Sequence, residues 1–387
     1  MKIFIWTRTL DHLQLHTWSA VQSILDQQIT YVLTEPENLG RKKQGWQAVD
    51  LSNLDVIIMK GKGWLRQSLN ILEQNSEAIH VFWGFWSERR LFPLIIYSTY
   101  RGVKTAVLNE HYSTSPVGYM EDEKFFIASI KVVLRPFLYS IAAFLLKAVS
   151  WRKKQICVFT LSLQAREQYL KAGFDKSTLF PFGYFVPAMT VLIDKHENTI
   201  PLRLIFVAAL LKRKGLDIAI RALQEINQCG IKVTLDVYGS GNPKAFLPKN
   251  SDSIIYKGVI PVEQVQSVIA QYNALILPSR HDGWGVVVNE SLLQGIPVIV
   301  SNTVGAKCLI ESSGAGLVFE SENVEALVNC LTGILETPTL LDSMRINAGR
   351  IKNHILPEVA AQYFLDTLLY YFYDAGSPPR AIWCGRQ

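Results

Sequence analysis

The chain reads as an α/β protein made of two doubly wound parallel-sheet domains, Rossmann-like in pattern and facing a central cleft. Three observations predict this. Short apolar runs alternate with amphipathic stretches from one end of the sequence to the other. The runs are apolar at successive positions, as strands buried on both faces must be. The length, 387 residues, suits two units at the usual scale of about 150 residues each.

In the first half the expected strands are 2–6, 29–33, 55–59, 79–83, 105–109, 156–160 and 178–181. In the second half they are 202–208, 232–238, 253–257, 274–278, 297–301 and 316–319. Helical patterns separate most of them, as at 216–228 and 324–335. Strands joined through helices form parallel sheets covered on both faces. The join falls within 187–201, which holds the polar run DKHENTIP. The expected division is therefore 1–190, 191–355 and a tail, 356–387, whose helical pattern EVAAQYFLDTLLYYFYDAG returns to the first domain. Ligands of open α/β sheets bind beyond the carboxyl ends of the strands, so two such domains enclose a cleft between them. The loop Thr17-Trp18-Ser19 after the first strand is expected to face it.

Composition narrows the class. The chain is 49% apolar, with nine Trp, fifteen Tyr and eighteen Phe, which places it among ordered globular proteins. The five cysteines, Cys157, Cys229, Cys308, Cys330 and Cys384, are scattered without metal-type spacing and read as reduced thiols of a cytosolic protein. The start, MKIFIWTRTL, enters a strand directly, and neither a signal peptide nor an apolar run long enough to cross a bilayer is expected. The net charge of +6 is unevenly placed. Lys124, Lys131, Arg135, Lys147, Arg152, Lys153 and Lys154 fall in one stretch without a single Asp or Glu. Between them runs PFLYSIAAFLLKAV, residues 136–149, which reads either as a helix lying on an anionic membrane or as a core helix with snorkelling ends. The acidic triplet Glu121-Asp122-Glu123 reads as a solvated face rather than a metal site.

The chemistry concentrates in SRHDGWGVVVNESLLQGIPVIV, residues 279–300. A glycine-bracketed turn at Gly283 and Gly285 runs into a helix, which gathers unpaired N–H groups and the positive end of the helix dipole at one point. That point suits a diphosphate. Glu290, further along the helix, can accept hydrogen bonds from sugar or ribose hydroxyls. Arg213 and Lys214 precede another helix, either as cations for a departing diphosphate or as a solvated helix start. Asp282 can cap the turn or face the ligand. Two histidines, His111 and His80, sit on or beside strands near the expected cleft.

The run D-G-W-G-V-V-V-N-E, with Asp282 and Glu290 at its ends, resembles the E-x7-E signature of retaining GT-B glycosyltransferases, glycosyltransferase family 4 or group 1. FVAALLKRKGLD, LDVYGSG, IIYKGVI and YNALILPSRHDGWG follow the family's order of motifs, and FTLSLQAREQYLKAGF with FPFGYF resembles its serine-led helix and P-x-G strand. The likeness is strong from about Ile156 to Glu320 and weaker before. It implies a GT-B fold, with an acceptor-binding first domain and a nucleotide-sugar-binding second one. It makes Lys214 the phosphate lysine, with Arg213 beside it. Asp282 then stands near the donor sugar's hydroxyls, Glu290 on the ribose and His111 at the donor sugar. Gly283, Trp284, Gly285 and Val286 would contribute backbone only, and Gly258 and Val259 would hold the nucleobase through main-chain groups. His80 is the weaker histidine candidate, with a structural role as the alternative.

The sequence departs from the family pattern at Ala209, where an arginine is usual, and at Asp282, where glutamate is usual. Either Arg213 takes the missing cation's place or the diphosphate is gripped less firmly. The resemblance implies transfer of a sugar from a nucleotide-diphosphate donor to a saccharide or lipid-linked saccharide acceptor. Retention, surface polysaccharide or lipopolysaccharide assembly, and neither metal nor other cofactor are implied with it. A cytoplasmic enzyme, peripheral on the inner face of an anionic membrane and without nucleic-acid partners, is the resulting expectation. A catalytically inactive partner subunit and a sugar-phosphate hydrolase, phosphorylase or epimerase of the same fold are the alternatives.

Overall fold

Two parallel sheets set the ends of their strands against each other. The computed structural model describes residues 1–37, 48–86, 88–118, 125–150, 154–190, 201–230, 232–249 and 251–385. The triplet Glu121-Asp122-Glu123, together with Lys124, Arg152, Lys153 and residues 191–200 of the expected join, lies outside them.

The first sheet holds β1 (Ile3–Thr7), β2 (Thr30–Leu33), β3 (Asp55–Ile58), β4 (Ile79–Trp83), β5 (Thr105–Glu110), β6 (Ile156–Leu161) and β7 (Leu179–Phe182), in the order β3-β2-β1-β4-β5-β6-β7. Around it run α1 (His12–Leu25), α2 (Trp64–Gln74), α3 (Leu91–Tyr100), α4 (Phe125–Val149) and α5 (Leu163–Lys171). The second sheet holds β8 (Leu202–Val207), β9 (Val233–Tyr238), β10 (Ile254–Gly258), β11 (Ala274–Leu277), β12 (Val298–Ser301) and β13 (Gly316–Phe319), in the order β10-β9-β8-β11-β12-β13. Its helices are α6 (Leu216–Gln228), α7 (Val265–Ile269), α8 (Val286–Leu293), α9 (Lys307–Ser313), α10 (Val324–Glu336) and α11 (Pro338–Ile351), and the last is α12 (Pro357–Tyr373). These strands match the expected runs to within a residue or two.

Burial follows position in the sheet. Central β1, β6 and β12 are buried at every residue, whereas edge strands β3 and β10 keep Asp55 and Lys257 in solvent, as unpaired edges require. Each sheet changes winding direction once, between β1 and β4 and between β8 and β11. Such a reversal opens a crevice at the strand ends. In the second sheet the segments leaving β8 and β11 are those carrying Lys212-Arg213-Lys214 and Asp282-Gly283-Trp284-Gly285. The sheet order alone therefore brings the two motifs together.

Helix α12 packs on α1 and the first sheet. Phe364 meets Trp18 at 5.2 Å and Phe159 at 4.8 Å between ring centroids, and Tyr371 donates to the Ile156 carbonyl at 2.7 Å. Beyond it the chain turns to the second sheet's helices, where Ser312 Oγ donates to the Trp383 carbonyl at 2.9 Å.

Three local expectations are corrected. Thr17, Trp18 and Ser19 are not a cleft loop but lie inside α1. Asp11 caps that helix through the Gln14 amide, and Trp18 is buried in the core. The apolar segment 136–149 belongs to a longer helix, Phe125–Val149, with Pro136 inside it, so against expectation one run is long and apolar enough to cross a bilayer. His80 is a core residue at the start of β4, away from the strand ends that form the cleft. Its Nδ1 accepts from Trp6 Nε1 at 3.0 Å, and its Nε2 lies 3.0 Å from the Asn75 carbonyl. Burial lowers its pKa to about 4, so the ring is neutral and structural.

Candidate active site

The carboxyl ends of both sheets enclose a cleft of about 580 Å3, walled by Glu110 and Tyr184 on one side and by Lys214, Asp282 and Glu290 on the other. Its floor is a turn that tolerates little change. Gly285 has φ +89°, a left-handed conformation that disfavours a side chain, and a Cβ there would also stand 2.9 Å from Val304 Cγ1. At Gly283 the constraint is space, because a Cβ would fall 2.1 Å from Glu110 Oε2. The turn is clasped from behind, with Gly305 N donating to the Asp282 carbonyl at 3.0 Å and Ala306 N to the Trp284 carbonyl at 2.7 Å. Helix α8 starts at Val286, and Val286 and Val287 both line the cleft. The first-turn N–H groups and the positive helix end therefore open on it.

The cations come from the turn after β8. The Lys214 ammonium is paired with Asp282 Oδ2. Burial alone would raise the Asp282 carboxyl, but Lys214 and Arg213 outweigh it and hold it below the usual carboxylate range. The Lys212–Lys214 turn is fixed by Arg280, which the sequence reading passed over. Arg280 is buried and bonds Asp217 through both carboxylate oxygens at 2.7 Å, and it also engages Glu322 and the Lys212 carbonyl. Its amide in turn donates to the Arg213 carbonyl at 2.7 Å. Arg213 directs Nη1 toward the His281 carbonyl at 3.5 Å, beside the cleft. Ala209 is in the wall where the resembled pattern has arginine.

Glu290 stands on α8 facing the cleft, and burial pushes its carboxyl up to about 7. Gly258 ends β10, and its carbonyl accepts from Gly239 N at 2.8 Å; Val259 is exposed on the wall. Trp284 contributes more than backbone. Its indole is buried, donates to Asn289 Oδ1 at 2.8 Å and packs on Phe185 from the first half.

His111 lies just behind the wall. Its Nδ1 is 3.2 Å from Ser162 Oγ, and its ring meets His281 edge-on at 4.6 Å across the two halves. Burial lowers its pKa to about 4, against the opposing pull of Asp282. His281 is lowered too, by burial first and by His111 next. Both rings are neutral at pH 7, and the Thr303 and Gly283 backbone lies against the His111 imidazole. Ser162 caps α5 through the Ala165 amide at φ +120°, a strained backbone of the kind found at functional sites.

Glu110, Tyr184 and His281 were also absent from the sequence reading. Tyr184 OH donates to Glu110 Oε1 at 2.7 Å. The signals existed: Glu110 ends the strand directly before His111, and Arg280 and His281 stand inside the run that ends in Asp282-Gly283. Among the described residues no three His, Cys, Asp or Glu side chains gather as a metal-binding group.

Fold and site together define the class: two Rossmann-like parallel-sheet domains about a shared cleft, the GT-B architecture. Sucrose-phosphate synthase from Thermosynechococcus elongatus superposes with a TM-score of 0.66 at 14% identity, covering 97% of this chain and 100% of that one. Anabaena HepE, solved with UDP and glucose, gives 0.64 at 14%, covering 95% and 99%. More particularly, residues 193–350 match the model for glycosyl transferases group 1. Curated relatives include an alpha-D-kanosaminyltransferase of Streptomyces kanamyceticus, 25% identical over 42% of this chain and 42% of its own length. The capsular polysaccharide biosynthesis glycosyltransferase CapM of Staphylococcus aureus is 21% identical over 52% and 55%. The chain thus spans about half the length, or less, of the curated relatives it matches.

Proposed function

We propose that this protein is a glycosyltransferase that moves a sugar from a nucleotide-diphosphate sugar to a hydroxyl of a saccharide or lipid-linked saccharide acceptor, with retention at the anomeric carbon and without a metal. The observation that carries the reading is the convergence of the α8 N-terminus, Lys214, Arg213, Asp282 and Glu290 on one cleft. That set meets the separate needs of a nucleotide sugar. The helix end and the two cations receive the diphosphate. Glu290 accepts from the ribose hydroxyls, and Asp282 from the sugar. The match to group 1 glycosyl transferases supports the class, and relatives such as CapM support a role in polysaccharide assembly.

In the reaction the bond from the anomeric carbon to the diphosphate oxygen breaks, and the electron pair leaves with the diphosphate. Lys214, Arg213 and the α8 N–H groups stabilise the charge that develops there. The acceptor oxygen forms its bond on the face the diphosphate vacates. Its proton passes to the departing phosphate oxygen, so no side-chain base is consumed. Neutral His111 is suited to hydrogen-bond a sugar hydroxyl rather than to carry charge. Glu110 and Tyr184 form the acceptor wall.

A thermal-shift screen against UDP-, GDP-, ADP- and CMP-sugars, without added metal, tests the reading. Stabilisation by one of them, lost in Glu290→Ala, is expected. Binding by none contradicts it. With the donor in hand, NMR of the first product formed reads the anomeric configuration, and an inverted product removes the retaining mechanism.

A further inference from the structure

Helix α4 packs on the first domain by a narrow stripe in which Ala128, Tyr139, Ala142, Ala143 and Leu146 are buried. Tyr139 pins it there. Its hydroxyl accepts from Asn109 Nδ2 at 3.0 Å, its ring stacks on Tyr169 at 5.2 Å, and Phe85 meets it edge-on at 6.2 Å. The outward face is apolar and open. Phe126, Phe137 and Phe144 are 74%, 62% and 72% exposed, and Ile130, Val133 and Ile141 fill the turns between them. These positions form one stripe along five helical turns, about 27 Å long. A soluble surface rarely carries so continuous an apolar face without a partner. Lys131, Arg135 and Lys147 lie on the same helix, which contains no Asp or Glu.

The face also has a place relative to the cleft. The segment leaving β5 passes against the phosphate cations, since a Cβ on Gly118 would stand 2.5 Å from the Arg213 amide nitrogen. Phe125 begins α4 seven residues further on, so the apolar face starts within about 25 Å of Arg213.

We propose that the outward face of α4 docks the protein on an anionic lipid bilayer, with the helix in the plane of the interface and the cleft mouth beside the headgroups. By length and composition α4 could cross a membrane. Its buried stripe and the Tyr139 contacts hold it along the domain instead, which leaves embedding at the headgroup boundary. A second copy of the chain fits the face poorly. A two-fold interface of α4 on α4 would gather Lys131, Arg135 and Lys147 of both copies with no carboxylate from either helix. Anionic headgroups meet the same cations favourably. The docking surface stands on this geometry alone. Its consequence, an acceptor that is lipid-linked and enters the cleft from the bilayer, rests on the transfer reading above.

Co-sedimentation of the full chain with vesicles of phosphatidylglycerol and phosphatidylcholine, and of phosphatidylcholine alone, is the test. The wild type is expected to partition onto the anionic vesicles. The triple variant F126S/F137S/F144S should lower that partition about 100-fold, and K131Q/R135Q/K147Q should remove most of the preference for anionic lipid, about 10-fold or more. Thermal unfolding of both variants should stay at the wild-type temperature, which separates lost docking from lost folding. Equal partition of wild type and both variants overturns the proposal. So does a wild-type dimer in light scattering that becomes monomeric in the Phe variant without any vesicle binding, which would assign the face to a second copy. Vesicle binding with no nucleotide sugar bound would leave the docking surface standing and the transferase reading fallen.

Discussion

The second domain meets the cleft with backbone and fixed charge, whereas the first meets it with side chains that another sequence could replace. On the second domain's side, a Cβ on Gly283 or Gly285 would press on Glu110 or Val304, Arg280 locks the Lys212–Lys214 turn, and Asp282 is tied to Lys214. On the first domain's side, Glu110 and Tyr184 hang from ordinary strand-end positions. The contrast is one of physical demand. A diphosphate asks for donors and cations at fixed points, and backbone supplies these only in a few conformations. An acceptor asks for a shaped and wetted wall, which many side chains can build.

Removing the Lys214 ammonium should break the donor side most severely. Lys214→Ala is expected to lower kcat about 1000-fold, roughly 4 kcal/mol of transition-state stabilisation, with a smaller effect on donor affinity. Steady-state kinetics with the donor from the screen check this, and an equal change in KM alone would mean ground-state binding only.

Next comes Arg280→Met, which leaves Asp217 and Glu322 without their shared partner. Both carboxylates stay half in water, so the loss should be about 2 kcal/mol, less than for an enclosed pair. Urea unfolding measures it, and an unchanged midpoint would show the turn to be held by backbone alone.

The pH dependence of donor binding is a subtler probe. The Glu290 carboxyl is raised from 4.5 to about 7 by burial, so the folded protein binds the extra proton in that window. Its contribution to stability therefore falls as pH rises from about 4.5 to 7, the reverse of a salt-bridged carboxylate. Donor hydroxyls favour the ionised form, so affinity should rise through pH 7 and level off about one unit above. Calorimetry at several pH values should show both the rise and a released proton, and Glu290→Gln should flatten the curve. The smallest effect belongs to the first domain: F126S/F137S/F144S should change unfolding free energy by less than about 0.5 kcal/mol per site and leave donor affinity alone. A donor affinity altered by that variant would join the two regions that this comparison separates.

Sequence legibility divides along the same line. The strands were readable because fully buried parallel strands are apolar along nearly their whole length, and β1, β6 and β12 depart from this only at Thr7, Thr160 and Ser301. The turn at Gly283 and Gly285 was readable because its parts are contiguous in residues 279–300. The Glu110–Tyr184 bond and the His111–His281 contact were not, because residues far apart in the chain meet there and position beside a motif does not encode the pairing. Trp18 misled for the opposite reason: the Asp11-x-x-Gln14 start of α1 was a helix signal, and the residues after it belonged to that helix. For Trp284 the sequence implies backbone alone, since nothing local announces that Phe185 and Asn289 close around its indole.

The most direct test of the central claim is calorimetric titration of the stabilising nucleotide sugar into wild type and Glu290→Ala, without metal. The account predicts saturable binding to the wild type, weakened about 10- to 100-fold in the variant through loss of a charge-assisted hydrogen-bond acceptor. Identical binding by the two proteins would contradict it, because the donor would then lie outside the cleft that α8 and Lys214 define.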